Sequence, residues 1–122
     1  MTRLCDLHTH SIFSDGTDSP ERIIQLAKDA GLCAVALCDH NTVDGLPDLL
    51  VAAQGKPIEV VPGTEFSVDY DGTELHLLGL YLPSESLPGI SALMEDFIRR
   101  KEESSRALVE ALKARIERVV GK

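Results

Sequence analysis

The stretch LCAVALC, residues 32–38, is an unbroken apolar run that begins directly after Gly31. A run without alternating polar residues is typical of a strand that is covered on both faces, as in parallel sheets. An amphipathic helix is predicted before it, because Ser19 suits the N-cap, Pro20 the first helical position and Gly31 the stop. With a short strand at residues 3–7, the order strand, helix, strand predicts an α/β fold.

The rest of the chain changes from mixed to helical. A helix is expected at residues 44–53 and a third strand at residues 58–61. From residue 88 to 120 apolar side chains recur at helical spacing, although residues 99–106 are nearly all polar. A continuous helix there would be about 50 Å long. We therefore expect either a break or a contact between copies near residues 101–105.

A β-hairpin is predicted around the Asp-Gly pair at residues 71–72. This pair is the strongest short signal for a two-residue hairpin turn, and alternating strands flank it. The turn imposes a register in which Ser67 faces His76. Glu65 and His76 then become diagonal neighbours on one face of the hairpin, close enough to share one metal ion.

Composition predicts one globular domain over residues 1–122. The chain is 43% hydrophobic and 26% charged, and its apolar runs are too short to span a bilayer. The N-terminus lacks the pattern of a signal peptide, so a cytoplasmic location is expected, without a membrane partner. The net charge of −8 argues against a general nucleic-acid-binding surface. A bound metal cluster would still attract phosphate, so nucleotide substrates are compatible with this charge.

All four histidines lie at or near the ends of predicted strands. His8 and His10 are two residues apart on a strand, so their rings project to the same side. The carboxyl ends of strands in open α/β sheets are where ligands bind. Imidazole nitrogens and carboxylate oxygens are common ligands of divalent ions. Six residues are therefore candidate metal ligands: His8, His10, Asp15, His40, Glu65 and His76.

The three cysteines do not form a zinc motif. Cys5, Cys33 and Cys38 lie in or beside apolar strand-like runs and have no Cys-x-x-Cys spacing. We expect buried thiols. Only Cys38 comes near the predicted metal site, and a catalytic role for it is the less expected alternative.

Four motifs within residues 4–82 resemble the PHP family, the polymerase and histidinol phosphatase domains. They are DLHTHSxxSDG at residues 6–16, DHNT at 39–42, GTEFS at 63–67 and ExHxLG at 74–79. The resemblance is strongest to small bacterial phosphoesterases that act on nucleotides and RNA ends. It implies a distorted barrel of seven β/α units. The chain would hold about the first half of this α/β barrel, followed by the long helical segment.

The resemblance also implies two or three divalent ions, usually manganese, iron or zinc, with magnesium as another candidate. It assigns one ion to His8 and His10, a second to Asp15 and His40, a third to His76, and a bridging role to Glu65. Asp39 would orient His40 or hydrogen-bond a metal-bound water. Asp39, His40 and Glu65 are therefore the candidate catalytic residues.

The implied activity is hydrolysis of phosphate esters, of nucleotides or of RNA or DNA ends, by a metal-activated water. An alternative is a catalytically incomplete domain that binds metal or a partner, because the family carries further ligands downstream and no histidine follows His76. The chain is either a piece of a longer enzyme or a naturally shortened domain. A third hypothesis is metal-dependent hydrolysis of carbon-nitrogen bonds.

Two further expectations concern the second half of the chain. Arg99 and Arg100 are candidate substrate contacts, since guanidinium groups grip phosphate oxygens in pairs. Such residues more often solvate a helix face. A half barrel also leaves a strand edge unpaired, so self-association through that edge or through the C-terminal helix is expected.

Overall fold

The computed structural model describes residues 2–121. Its elements are β1 (Cys5–Thr9), α1 (Pro20–Asp29), β2 (Ala34–Leu37), α2 (Leu46–Ala53), β3 (Glu59–Tyr70), β4 (Thr73–Leu80), a 3-10 turn (Ser84–Ser86) and α3 (Leu87–Val119). The chain divides into two compact units, residues 1–91 and 92–122. The single domain expected for the whole length stays a prediction.

The first unit contains a curled four-stranded sheet with the order β1-β2-β3-β4. β2 pairs in parallel with both β1 and β3, whereas β4 is antiparallel to β3. All four residues of β2 are buried, which explains why its sequence has no polar alternation. The predicted α/β fold, with a partial barrel and a long C-terminal helix, is confirmed.

Helices α1 and α2 and the sheet share one hydrophobic core. Ile24, Leu37 and Leu49 lie within it and are almost completely buried. The start of α1 follows the predicted pattern, because the backbone N–H of Arg22 donates to the Ser19 hydroxyl over 3.2 Å. Burial of this core holds the carboxyl ends of β1, β2 and β3 in place.

The predicted hairpin is confirmed in its register. Tyr70 pairs with Thr73, and Ser67 pairs with His76. The two turn residues, Asp71 and Gly72, have φ angles of 51° and 80°. Both central positions of a type I′ turn need positive φ, which asparagine, aspartate and glycine tolerate best.

Several expected boundaries differ from those observed. β1 runs to Thr9 instead of ending at residue 7, and β3 contains both the strand expected at residues 58–61 and its continuation into the hairpin. Cys5 is exposed and Cys33 is half-buried, so the expectation of buried thiols is correct only for Cys38. The reason is that Cys5 belongs to β1, an edge strand whose side chains are mostly exposed.

Of the two alternatives expected near residues 101–105, the break is wrong, and the contact between copies stays a prediction. α3 continues without interruption over 33 residues. Arginine, lysine and glutamate dominate the polar stretch, and all three have high helix propensity. Asp96 also pairs with Arg99 and Arg100, one turn further along α3. Polar side chains alone therefore do not interrupt a helix.

Within residues 2–121, no helix combines the length and the apolar character needed to cross a lipid bilayer.

Candidate metal centre

The six residues proposed from the sequence converge in the first unit. His8 lies on β1 and His10 directly after it. His40 follows β2 and forms an isolated parallel bridge with Glu65, which carries the pairing of β2 and β3 beyond Leu37. His76 comes from β4, which the hairpin places against β3. The strand ends thus bring together side chains that are far apart in sequence.

Glu65 occupies the centre of this cluster. Its side chain is only 5% exposed. Oε1 lies 2.5 Å from His8 Nε2 and 3.5 Å from His10 Nε2. Oε2 lies 3.2 Å from His40 Nδ1 and 2.9 Å from His76 Nδ1. One buried carboxylate therefore contacts all four histidines of the chain.

Asp15 closes the opposite side of the cluster. Its Oδ2 lies 3.2 Å from His40 Nε2, and its Oδ1 lies 3.5 Å from His10 Nδ1. The side chain is 65% exposed, so solvent and ligands reach it. Asp15 and Glu65 thus contact His40 through different ring nitrogens.

The donor atoms fall into three overlapping sets. Within each set, one donor atom per residue lies within 4.8 Å of the others. The sets are His8, His10 and Glu65; His10, Asp15 and His40; and His40, Glu65 and His76. Mixed imidazole and carboxylate donors suit zinc, iron and manganese. Among the described residues, His10 Nδ1 is also a buried atom without a hydrogen-bond partner. The donor set therefore fits a divalent metal centre.

Electrostatics keep Glu65 ready to act as a ligand. Burial works to raise the pKa of Glu65, because it penalises the charged form. The hydrogen bond with His8 and the charges of His40, His8 and His10 outweigh burial and hold this pKa below its usual value. Glu65 is therefore a carboxylate at neutral pH.

Cys38 directly follows β2, at the same end of the sheet, but its thiol is not activated. It is fully buried. Burial, followed by the negative charges of Glu65, Asp39 and Asp6, raises the pKa of Cys38 to about 11. The side chain is thus a neutral thiol at physiological pH, which disfavours a nucleophilic role.

Asp39, proposed from the sequence as a catalytic residue that orients His40 or a metal-bound water, has its carboxylate hydrogen-bonded to Ser11 and Ser14. Its carboxylate is buried and accepts hydrogen bonds from the Ser11 backbone N–H, the Ser11 hydroxyl and the Ser14 hydroxyl. Within residues 2–121, all hydrogen bonds of this carboxylate go to the loop after β1. Asp39 belongs to none of the three donor sets.

Arg99 and Arg100 lie on α3 in the second unit, where both pair with Asp96. Their proposed contact with substrate stays a prediction.

Two residues around the centre had no assigned role in the sequence. Ser11 is fully buried and holds Asp39, and Thr64 is fully buried and donates to the Asp39 carbonyl over 2.9 Å. The sequence feature that could have identified them is a small hydroxyl residue directly beside a candidate ligand, since Ser11 follows His10 and Thr64 precedes Glu65. Such residues hydrogen-bond nearby groups in loops.

Residues 6–119 match the sequence profile of the PHP domain. The chain is 37% identical over 95 residues to a 5'-3' exoribonuclease from Haemophilus influenzae, covering 78% of this chain and 34% of that relative. It is 33% identical over 102 residues to a phosphoribosyl 1,2-cyclic phosphate 1,2-diphosphodiesterase from Eggerthella lenta, covering 82% of this chain and 38% of that relative. The chain thus spans about a third of the length of the curated relatives it matches.

Two solved structures share the fold. One, from Bifidobacterium adolescentis and assigned to the metal-dependent phosphoesterases, has a TM-score of 0.75 and 28% identity, covering 93% of this chain and 39% of that chain. The other, an amidohydrolase from Chromobacterium violaceum, has a TM-score of 0.75 and 30% identity, covering 90% of this chain and 38% of that chain. The expected partial barrel therefore has known structural counterparts.

Proposed function

The chain belongs to the PHP domain family, and from that premise we propose that it carries the metal-holding half of a phosphoesterase site. The observation that carries this proposal is the contact of one buried carboxylate, Glu65, with all four histidines. Relatives named as an exoribonuclease and a diphosphodiesterase support phosphate esters as the substrate class.

The three donor sets define the proposed roles. His8, His10 and Glu65 hold one divalent ion, Asp15 joins His10 and His40 around a second, and His76 completes a third set. When bound, such ions lower the pKa of a water ligand and neutralise charge on a phosphoryl group. The ion is manganese, iron or zinc by donor type, with magnesium the less suited candidate.

The chain's own residues arrange the ligands. Glu65 is buried and anionic, so it holds four imidazoles at fixed distances and bridges neighbouring donor sets. His40 contacts Asp15 through Nε2 and Glu65 through Nδ1, which makes it the link between the buried and the exposed carboxylate. The exposed Asp15 marks the side from which a substrate approaches.

The proposed substrates are nucleotides, other phosphorylated small molecules, or the ends of nucleic-acid strands. The cytoplasmic location and the self-association expected from the sequence stay predictions. A second candidate function is metal or partner binding without catalysis. It is kept as the alternative because the matched segments cover only 34% and 38% of the two relatives.

A turnover assay tests the proposal. The purified chain, loaded with manganese, is expected to release phosphate from an aryl phosphate or from nucleotides. His10→Ala and Glu65→Ala are expected to lower the rate by about 100-fold or more, because each removes a ligand of two donor sets. Glu59→Gln, an exposed carboxylate at the start of the same strand, is the matched control and keeps the rate.

Elemental analysis of the same samples separates the candidates. Tight metal without turnover would favour the binding function, and an absence of bound metal in the unsubstituted chain would contradict both hydrolysis and metal binding. Cleavage of amides in preference to phosphate esters would favour a hydrolase of carbon-nitrogen bonds.

A further inference from the structure

A buried acidic residue next to the metal centre has hydrogen-bond partners that the proposed chemistry does not use. Asp39 is 1% exposed, and Ser11 is not exposed at all. The Asp39 Oδ1 atom accepts from the Ser11 N–H over 2.6 Å and from the Ser14 hydroxyl over 2.7 Å, and Oδ2 accepts from the Ser11 hydroxyl over 2.6 Å. Hydrogen bonds from three donors to one carboxylate offset the cost of burying its charge.

The loop held in this way is the one that carries Asp15. The Ser11 carbonyl accepts from the Ser14 N–H over 3.1 Å and from the Gly16 N–H over 2.9 Å. A Cβ at Gly16 would lie 2.3 Å from the His10 carbonyl oxygen, so only glycine allows this close return of the chain. The loop therefore folds back tightly over the end of β1, with Asp15 at its turning point.

The backbone of Asp39 is fixed on its other side by β3. The Asp39 carbonyl accepts from the Glu65 N–H over 3.1 Å and from the Thr64 hydroxyl over 2.9 Å. These two hydrogen bonds tie the backbone of Asp39, the residue before His40, to the strand that carries Glu65. Its carboxylate then transmits that position to the loop that carries Asp15.

We infer that Asp39 is a positioning residue for Asp15: its carboxylate clasps Ser11 and Ser14 and so holds Asp15 against His10 and His40. This role differs from the orientation of His40 that the sequence resemblance implied. The inference rests on the proposed metal-binding function. In it, Asp39, which belongs to none of the three donor sets, holds the exposed Asp15 in position for the metal. Partners that orient metal ligands typically change metal affinity by about 10- to 100-fold.

Cobalt titration of Asp39→Asn tests the inference. In asparagine an amide nitrogen replaces the Oδ2 acceptor that faces the Ser11 hydroxyl, and the neutral amide oxygen is a weaker acceptor than a carboxylate for the Ser11 N–H and the Ser14 hydroxyl. The substitution therefore weakens these three hydrogen bonds at nearly constant shape. We expect Co²⁺ affinity, followed by visible absorption and by calorimetry at 25 °C, to fall by about 10- to 100-fold. Asp48→Asn removes the same charge from an exposed site on α2 and is expected to keep the affinity of the unsubstituted chain.

A double substitution separates Asp15 from His40 as the affected ligand. If Asp39 acts through Asp15, adding Asp39→Asn to Asp15→Ala lowers the affinity by no more than about twofold. If Asp39 acts through His40, the two losses multiply, and this result would overturn the inference. A purely structural role would lower the unfolding temperature of Asp39→Asn and leave Co²⁺ affinity unchanged, which would overturn it as well.

Ser14→Ala keeps the test decisive if Asp39→Asn does not fold. It removes the hydrogen bond from the Ser14 hydroxyl to Asp39, together with the 3.4 Å contact of the same hydroxyl with Asp15 Oδ1, and it leaves the buried carboxylate in place, so a loss of about fivefold is expected. Unchanged affinity in this variant would contradict the inference. If the unsubstituted chain binds no Co²⁺, the proposed function fails together with the inference. If it binds Co²⁺ and the variants match it, only the inference fails.

Discussion

The metal centre and the second half of α3 show two different ways of fixing side chains. In the centre, residues from four separate segments meet around Glu65, and long-range pairing of strands holds them. In α3, from residue 98 onward, the backbone is held by its own helical hydrogen bonds, and the apolar side chains are exposed. Leu112, for example, is 50% exposed.

The difference shows where stability comes from in this chain. Among residues 87–119, only Met94 is buried, whereas β2 is buried at every position. An isolated helix gains little from propensity, because most helical stability in proteins comes from packing of an apolar face. The centre therefore depends on the cooperative fold of the first unit, and the end of α3 depends on local interactions.

Amide hydrogen exchange gives the largest expected contrast. Amides of β2 should exchange only through global unfolding, whereas amides of residues 96–119 should exchange through local opening. We expect protection factors that differ by about 1000-fold or more, measured by mass spectrometry on peptides from each region. Equal protection in both regions would show that the end of α3 is packed in solution and would contradict this prediction.

A pair of large-to-small substitutions gives the next effect. Ile24→Ala removes a fully buried side chain of the core and should lower the free energy of unfolding by about 2–5 kcal/mol. Leu112→Ala removes an exposed side chain and should change it by less than about 0.5 kcal/mol. Urea denaturation monitored by circular dichroism measures both. A loss of similar size for Leu112→Ala would reveal a packed partner of α3.

The smallest expected effect concerns pH in the metal-free protein. The pKa of Glu65 in the folded state is lower than its ordinary value of 4.5, so the ionised form stabilises the fold above that value. The contribution is lost as the pH falls through the lowered pKa. Near pH 5–6, the unfolding temperature of the unsubstituted chain should exceed that of Glu65→Gln by about a few degrees, the size of effect expected from the loss of one weak ion pair.

Scanning calorimetry in the presence of a chelator follows this difference as the pH is lowered, and the difference should shrink as the pH falls through the lowered pKa of Glu65. A difference that grows on acidification would mean that the pKa of Glu65 is raised instead of lowered.

The hairpin was the most accurately predicted part of the fold. The turn at residues 71–72 set the pairing of Ser67 with His76, and the structure has this register. Turn geometry is local, so it can be read from two residues. The continuity of α3 was not predicted, because a run of polar residues does not show whether a helix ends there.

The candidate site was predicted as a set of residues, and its arrangement only in part. The hairpin register placed Glu65 beside His76, and their Oε2 and Nδ1 atoms lie 2.9 Å apart. The spacing of His8 and His10 predicted rings on the same side, and their Nε2 atoms lie 3.1 Å apart. The contact of Glu65 with all four histidines depends on pairing across three strands, and residue spacing does not encode it.

The sequence by itself determined the types of ligand, the strand that is buried on both faces, and the register of the hairpin. These features depend on side-chain chemistry and on backbone geometry over a few residues. The tertiary structure alone decided that the Asp39 carboxylate faces Ser11 and Ser14. The partner of a buried polar group is set by whichever donors the packed chain brings within about 3 Å, and those donors lie 25 or more residues away.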